Sequence, residues 1–291
     1  LLWLVCMAQE LSKNDQQLDQ QLRVRLSDAL STWLLWSPAP VAKPHFVKKL
    51  CGITNASIQV SDGSNDWVIR FNQIAADPGI HRASEFTAMR LAADKGICPE
   101  PVYIQDDLLV TPFLPGDPPS FGQLELIGTT FAKIHQLVMR QDPNHEQFRE
   151  PIRELDELEL SSYLMTCFQS AGEPESLQRE LQSVIEALPS ERKVLCHNDM
   201  LFENLLYSSA QQRIHVLDWE YAKVSPPSFD IATFTSHYCL SDQQLARLLR
   251  GYGVSSDAAA THDLVDAASV RSFEPAASLV KTLWYLAKKT E

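Results

Sequence analysis

Hydrophobic positions along the chain change period part-way, from short alternating runs to helical spacing, and the change divides the sequence into a strand-rich first part and a helix-rich second part. Leu18, Leu22 and Leu26 recur at helical spacing in the Gln-rich and Asp-rich stretch 9–35, which predicts a leading amphipathic helix. Ile58 to Val60 and Trp67 to Phe71, separated by Asp62-Gly63, read as a hairpin. His81 to Lys95 contains neither Gly nor Pro and is followed by Gly96, a helix with a C-terminal stop signal. Val102-Tyr103 and Leu108 to Val110 form a further hairpin that ends in Thr111-Pro112-Phe113-Leu114-Pro115-Gly116. From Phe121 to Leu137 the period becomes helical through Phe131, Ile134 and Leu137. Residues 153–188 add helical segments broken near Gly172 and Pro174. The chain after Phe229 reads mainly α, with a late helix opened by Pro275. Strands first and helices later predict an α+β protein, with 1–115 as an N-terminal unit of antiparallel sheet plus helix and 116–291 as a mainly α C-terminal unit.

The chemistry is concentrated in CHNDMLFENLLYSSAQQRIHVLDWEYA, Cys196 to Ala222. Val194 to Cys196 is an apolar run ending at His197, so Asp199 and Asn204 fall on an irregular loop where backbone turns can aim both side chains inward. Leu205 to Tyr207 and Ile214 to Leu217 are strand-like and joined by the polar stretch Ser208 to Arg213. Such a hairpin returns Asp218 to the end at which it started, beside Asn204. An amide oxygen and a carboxylate suit Mg²⁺, a hard cation that takes oxygen ligands, while Asp199 remains to accept a hydroxyl proton. Phosphoryl transfer consists mostly of positioning and charge neutralisation, and this set of groups supplies both. Asp and Asn also cap and brace polar loops, but four such residues at H-x-D-x4-N spacing with a following acid favour the catalytic reading.

The same block resembles the catalytic and metal-binding segments of the choline kinase and aminoglycoside phosphotransferase group, and HND with DWEYA is most similar to small choline, ethanolamine and thiamine kinases. The resemblance implies a two-lobed protein-kinase-like fold and the use of ATP and Mg²⁺. It makes Asp199 the catalytic base, Asn204 and Asp218 the metal ligands, His197 a brace of the catalytic loop, and Asp230 the acid that hydrogen-bonds that loop. It places Glu220 near the acceptor pocket. Cys51 to Ser57 resembles the phosphate-covering loop, with Gly52, Thr54, Asn55 and Ser57 small enough for backbone amides to approach phosphate. Arg70, in WVIRF, stands where the fold carries a nucleotide-contacting cation, and Glu85 is its expected ion-pair partner. The stretch from Thr111 resembles the inter-lobe hinge. Pro112 has no N–H, which leaves Thr111, Phe113 and Leu114 to meet adenine.

The acceptor is less defined. Quaternary ammonium groups are held by aromatic faces, and Trp284 and Tyr285 on the late helix, with Glu220, are the candidate set. Choline kinases carry a W-x-x-W-like pair in a late helix, of which only Trp284 is matched here. Choline or ethanolamine is the first expectation, then thiamine kinase and aminoglycoside phosphotransferase, with a non-catalytic nucleotide-binding pseudokinase as the reading from another class.

The remaining composition excludes more than it assigns. With 291 residues and 45% apolar content the chain can bury a sizeable core. A formal net charge of -12 argues against general nucleic-acid binding, which relies on clustered Lys and Arg. No apolar run reaches 18 residues, so no membrane span is expected. Leu1 to Met7 is apolar but has no basic leader and is short for a secretory signal. Six cysteines without a C-x-x-C pair are expected as reduced thiols in a cytoplasmic protein, with Cys196 packing rather than attacking.

Overall fold

The computed structural model describes residues 18–50, 55–72, 79–105, 107–137, 155–253 and 265–290. Leu1 to Met7, Gly52 and Thr54 lie outside them. The chain divides into two compact units, one comprising residues up to 76 with 99–114 and the other 77–98 with 115–291.

In the first unit, helix α1 (Gln20–Ser31) begins where Asp19 accepts the amide of Leu22 at 2.8 Å, an N-cap that satisfies an otherwise orphaned donor. Its buried Leu22 and Leu26 pack on a sheet core of Ile58, Val60, Trp67, Ile69, Phe71 and Val110. Each fully buried aliphatic side chain contributes roughly 1.5–3 kcal/mol. The sheet contains β1 (His45–Leu50), β2 (Ala56–Ser61), β3 (Asp66–Phe71), β4 (Tyr103–Gln105) and β5 (Leu108–Pro112) in the order β1-β2-β3-β5-β4, and every pair of neighbours is antiparallel. Alternation sends Ile58 and Val60 inward and centres β3, so Arg70 is held between Ser57 and Leu109 on its two flanking strands.

In the second unit, α2 (Arg82–Asp94) groups with the helical part rather than with the sheet that precedes it in the sequence. The helices α3 (Leu124–His135), α4 (Leu160–Ser170), α5 (Glu175–Glu186), α6 (Pro227–His237), α7 (Asp242–Gly253) and α8 (Ala267–Thr290) follow, the break between α4 and α5 falling at Gly172 to Pro174 as the pattern predicts. Helix α8 does not open at Pro275. It starts eight residues earlier, where Asp266 accepts the Ser269 amide at 2.7 Å, and Pro275 lies inside it. The missing N–H costs helix stability, and burial of Phe273, Ala276, Ala277, Leu279 and Leu283 around it offsets the loss. No described helix, α8 included, is both long and apolar enough to cross a membrane.

Two small ladders frame the chemistry. Strand β6 (Val194–Cys196) pairs antiparallel with β9 (Lys223–Ser225), and β7 (Leu205–Ser208) pairs with β8 (Arg213–Val216). The first ladder closes the segment that carries both motif loops, and the second is the expected hairpin.

Helices α3 and α7 approach so closely that neither contact position tolerates a side chain. A Cβ on Gly128 would lie 1.9 Å from the Leu248 carbonyl oxygen, and one on Gly251 would lie 1.8 Å from that of Glu125. Backbone cannot yield as a flexible side chain can. Gly128→Ala is therefore expected to lower stability by at least about 3 kcal/mol, which chemical denaturation will show. Unchanged stability would mean the two helices are farther apart than described.

Candidate active site

The β7–β8 register, Leu205 opposite Val216 and Leu206 opposite His215, carries the chain after β8 back to the HND loop. The Leu217 amide then donates to the Asn204 carbonyl at 2.8 Å, which locks the two loops side by side. Asn204 Nδ2 donates to the Asp199 carbonyl at 2.9 Å and to Asp199 Oδ2 at 2.7 Å, so its amide oxygen is turned away from Asp199. Asn198 and Asp218, at φ 62° and 55°, occupy the left-handed region that Asn and Asp enter more readily than most residues. Each strained residue adjoins the chemistry, where such geometry persists only if the surroundings enforce it.

The enforcement is visible. The Asp230 carboxylate on α6 accepts the His197 amide at 3.0 Å and the Asn198 amide at 2.8 Å, and it meets His135 Nε2 at 3.1 Å. The other nitrogen of His135 meets the Tyr252 hydroxyl at 3.0 Å. Asn198 Nδ2 donates to the Tyr221 carbonyl at 3.0 Å, and its Oδ1 accepts from Ser225 Oγ at 2.8 Å. His197 is fully buried, its Nδ1 accepting the Asp199 amide at 3.3 Å while Nε2 faces the Leu217 carbonyl at 3.0 Å. The carbonyl can only accept, so Nε2 carries the proton. Burial holds the ring below the usual histidine range, and with both nitrogens engaged by backbone it braces the loops rather than carrying protons.

Asp199 is half-buried, and its carboxyl is pushed up from 3.8 to about 8. Desolvation is the main cause, followed by the negative charge of Asp218; Glu220 and Glu203 add to it, while the hydrogen bond from Asn204 opposes it. The chemistry of the donor set fits a divalent ion: Asn204 Oδ1, turned away from Asp199, and the Asp218 carboxylate would be its oxygen donors.

The other candidate residues are distributed as follows. Glu85 on α2 is fully buried and accepts from Arg82 Nη1 at 2.6 Å, and the same nitrogen lies 3.3 Å from Glu220 Oε2. Glu220, 3% exposed, is thus held against Arg82. Ser84 Oγ reinforces the junction by donating to the Ala222 carbonyl at 3.0 Å. In the first unit Arg70 is buried on β3, Asn55 is buried just before β2, Ser57 is on β2, Thr111 is on β5, and Leu114 follows that strand. The Phe113 amide donates to the Asp66 carbonyl at 2.9 Å, so that donor is already engaged. Trp284 packs edge-on against Tyr285 at 5.2 Å, with Lys288 Nζ 6.0 Å from its ring centre. A small cavity of about 40 Å³ beside Asn198 is lined by Tyr163, Tyr221, Lys223, Phe229 and Thr233 among others, and by none of Glu220, Trp284 or Tyr285.

Cys196 donates to the Ser225 carbonyl at 3.3 Å, and burial pushes its thiol well above the usual range, so it packs and does not attack. His135, Cys196 and Asp230 bring their ligating atoms within 4.8 Å of one another, which their sequence spacing did not suggest. The thiol is bonded to Ser225 and the other two to each other, so the three pack together as a polar cluster.

The model of the phosphotransferase enzyme family matches residues 51–265. The chain belongs to that family. Among relatives of this phosphotransferase, protein LicA of Haemophilus influenzae is 40% identical over 57 residues, 20% of this chain and 21% of that protein. The match thus spans about a fifth of LicA's length. The solved choline kinase LicA from Streptococcus pneumoniae has a TM-score of 0.71 at 18% identity, covering 93% of this chain and 92% of that one. Plasmodium vivax ethanolamine kinase has a TM-score of 0.66 at 19% identity, covering 84% of this chain and 76% of that one. The phosphotransferase therefore has the protein-kinase-like fold of these enzymes.

The raised Asp199 pKa gives a stability signature. Below about pH 4 the group is protonated whether folded or unfolded and contributes nothing. Between about pH 4 and pH 8 the unfolded chain loses the proton and the folded one retains it, so stability falls as pH rises, and the penalty is complete above about 8. Asp199→Asn should therefore melt higher than wild type in EDTA at pH 9 and match it at pH 4. Equal melting temperatures at both pH values would refute the raised pKa of Asp199.

Proposed function

We propose that this phosphotransferase moves the γ-phosphoryl group of ATP to the hydroxyl of a small cationic metabolite, with choline or ethanolamine as the leading acceptor class. The observation that carries the reading is the contact of Asn204 with Asp199 inside a hairpin that returns Asp218 to the same place. Asp199 orients the acceptor hydroxyl and takes its proton as the oxygen attacks the γ-phosphorus and the bond to ADP breaks. Asn204 and Asp218 would hold Mg²⁺, which when bound supplies positive charge to the phosphates and offsets the charge of Asp218 felt by Asp199. Arg70, whose planar guanidinium suits bidentate phosphate contacts, is assigned to the nucleotide phosphates with Gly52, Thr54, Asn55 and Ser57; Glu85 supports Arg70, and Thr111 and Leu114 serve adenine.

For the acceptor, Tyr221, Tyr163 and Phe229 around the cavity beside Asn198 offer aromatic faces of the kind that attract an ammonium group, each worth about 0.5–2 kcal/mol when desolvated. Trp284 and Tyr285 are outer candidates. The names of the relatives, choline kinase and ethanolamine kinase, support an amino alcohol over an aminoglycoside, and thiamine is the next alternative. Retention of Asp199, Asn204 and Asp218 together favours turnover over a pseudokinase.

ADP release measured with choline, ethanolamine, thiamine and kanamycin offered separately will identify the acceptor. Activity on an amino alcohol supports the reading, and activity confined to kanamycin displaces it. Asp199→Ala should lower turnover by roughly 10² to 10⁴ fold with nucleotide binding retained. Full activity of that variant would remove Asp199 as the base. Asp218→Ala should abolish the Mg²⁺-dependent part of ATP binding, read by thermal shift with and without the metal. An unchanged magnesium response would exclude Asp218 as a ligand.

A further inference from the structure

Helix α6 holds the beginning of the catalytic loop through Asp230, but it also reaches the other end. Tyr238 caps α6, eight residues beyond Asp230 and therefore about 12 Å further along the axis. Its hydroxyl accepts the backbone amide of Phe202 at 2.8 Å and donates to Glu203 Oε2 at 3.0 Å. Its ring stacks on that of Phe202, with centroids 4.4 Å apart and planes at 29°. Phe121 and Phe234 close the cluster edge-on, at 6.1 and 5.0 Å from the Tyr238 ring. One turn of 3₁₀ helix, Phe202–Asn204, thus meets the Tyr238 side chain through three contacts, and that turn ends in Asn204.

We propose that Tyr238 is a positioning residue for phosphoryl transfer: its hydroxyl anchors the Phe202 amide, and this steadies the turn that carries Asn204 and its hydrogen bonds to Asp199. The catalytic loop is laid along α6 and tied at both ends, at His197 and Asn198 by Asp230 and at Phe202 and Glu203 by Tyr238, with Asp199 in the span between. Without the second tie the turn that ends in Asn204 could drift and carry its hydrogen bonds to Asp199 with it. Phosphoryl transfer is sensitive to that drift, because displacements near 1 Å at a positioned group can cost up to about 10² in rate. The stacked ring could persist without the hydroxyl, so the hydroxyl is the part to test.

Tyr238→Phe removes one oxygen and keeps the stack. In the full-length chain it should lower kcat about ten-fold with the KM for Mg·ATP within two-fold of wild type. Phe121→Ala removes a ring that is 40% exposed and touches Tyr238 and Phe202 without altering the hydroxyl, and its kcat should stay within two-fold. This activity arm rests on the reaction proposed above, so amide hydrogen exchange supplies an independent one. Exchange over 199–204 should accelerate in Tyr238→Phe, while exchange over 194–198, held by Asp230, stays as in wild type. Exchange over 199–204 that matches wild type overturns the proposal, as does a Phe121→Ala loss equal to that of Tyr238→Phe or a faster exchange throughout the chain. Should wild type transfer phosphate to none of the four acceptors, the acceptor assignment fails while the exchange result still decides the role of Tyr238.

Discussion

The fully buried carboxylate of Asp230 is the point on which the geometry of the candidate site depends. Removing an ionised carboxylate from water costs several kcal/mol unless its lone pairs are occupied, and here two backbone amides and one imidazole occupy them. The satisfaction is reciprocal. Asn198 adopts a left-handed backbone, which costs free energy, and its amide finds a charged acceptor only in that conformation. The imidazole is itself positioned from further away: the glycine contacts between α3 and α7 bring Tyr252 to His135, and His135 to Asp230. A packing constraint between two helices is thereby transmitted to the backbone angle beside Asp199.

Much of this was legible in the sequence wherever local pattern and structure coincide. The β7–β8 hairpin, the break between α4 and α5, and the inward positions of α1 and α3 follow from alternation, helical spacing, Gly and Pro. What pattern did not reveal is what long-range pairing creates. Strand β1, HFVKKL, is exposed along almost its whole length and shows no buried alternation, so nothing in its composition marks it. Strand β9 is three residues long, too short for a period, and exists because β6 pairs with it across the whole motif block. Pro275 suggested a helix start by a sound rule, but the operative signal was Asp266, whose side chain caps the first turn of α8. Among the site residues, Asn198 was present in the HND triplet without a role, and Tyr252 and Tyr238 carried no signal, since a tyrosine in an amphipathic helix ordinarily means packing.

Charge is where sequence and structure inform each other most. A net charge of -12 spread over 291 residues says little about any one site. Asp218, Glu220 and Glu203 placed where each adds to the raised pKa that burial gives Asp199 say much more, because a cation bound there would relieve that crowding. Arg82 supplies compensation for part of that set. It lies between Glu85 and Glu220, and so joins the first turn of α2 to the loop that carries Asp218. Its position three residues before Glu85 made the first contact conceivable from sequence, whereas the second, 138 residues away, was not.

That arrangement changes how acceptor recognition should be understood. A carboxylate in a DWE motif invites assignment as the anchor for a cationic substrate, yet Glu220 is buried and shares the Arg82 guanidinium with Glu85. The cavity beside Asn198 has tyrosine and phenylalanine faces and the ammonium of Lys223. Ring faces attract a cation by about 0.5–2 kcal/mol each when desolvated, and a nearby ammonium opposes it by charge repulsion. For the acceptor class proposed above, the position of the charge relative to the hydroxyl would then matter as well as the acidity of the site.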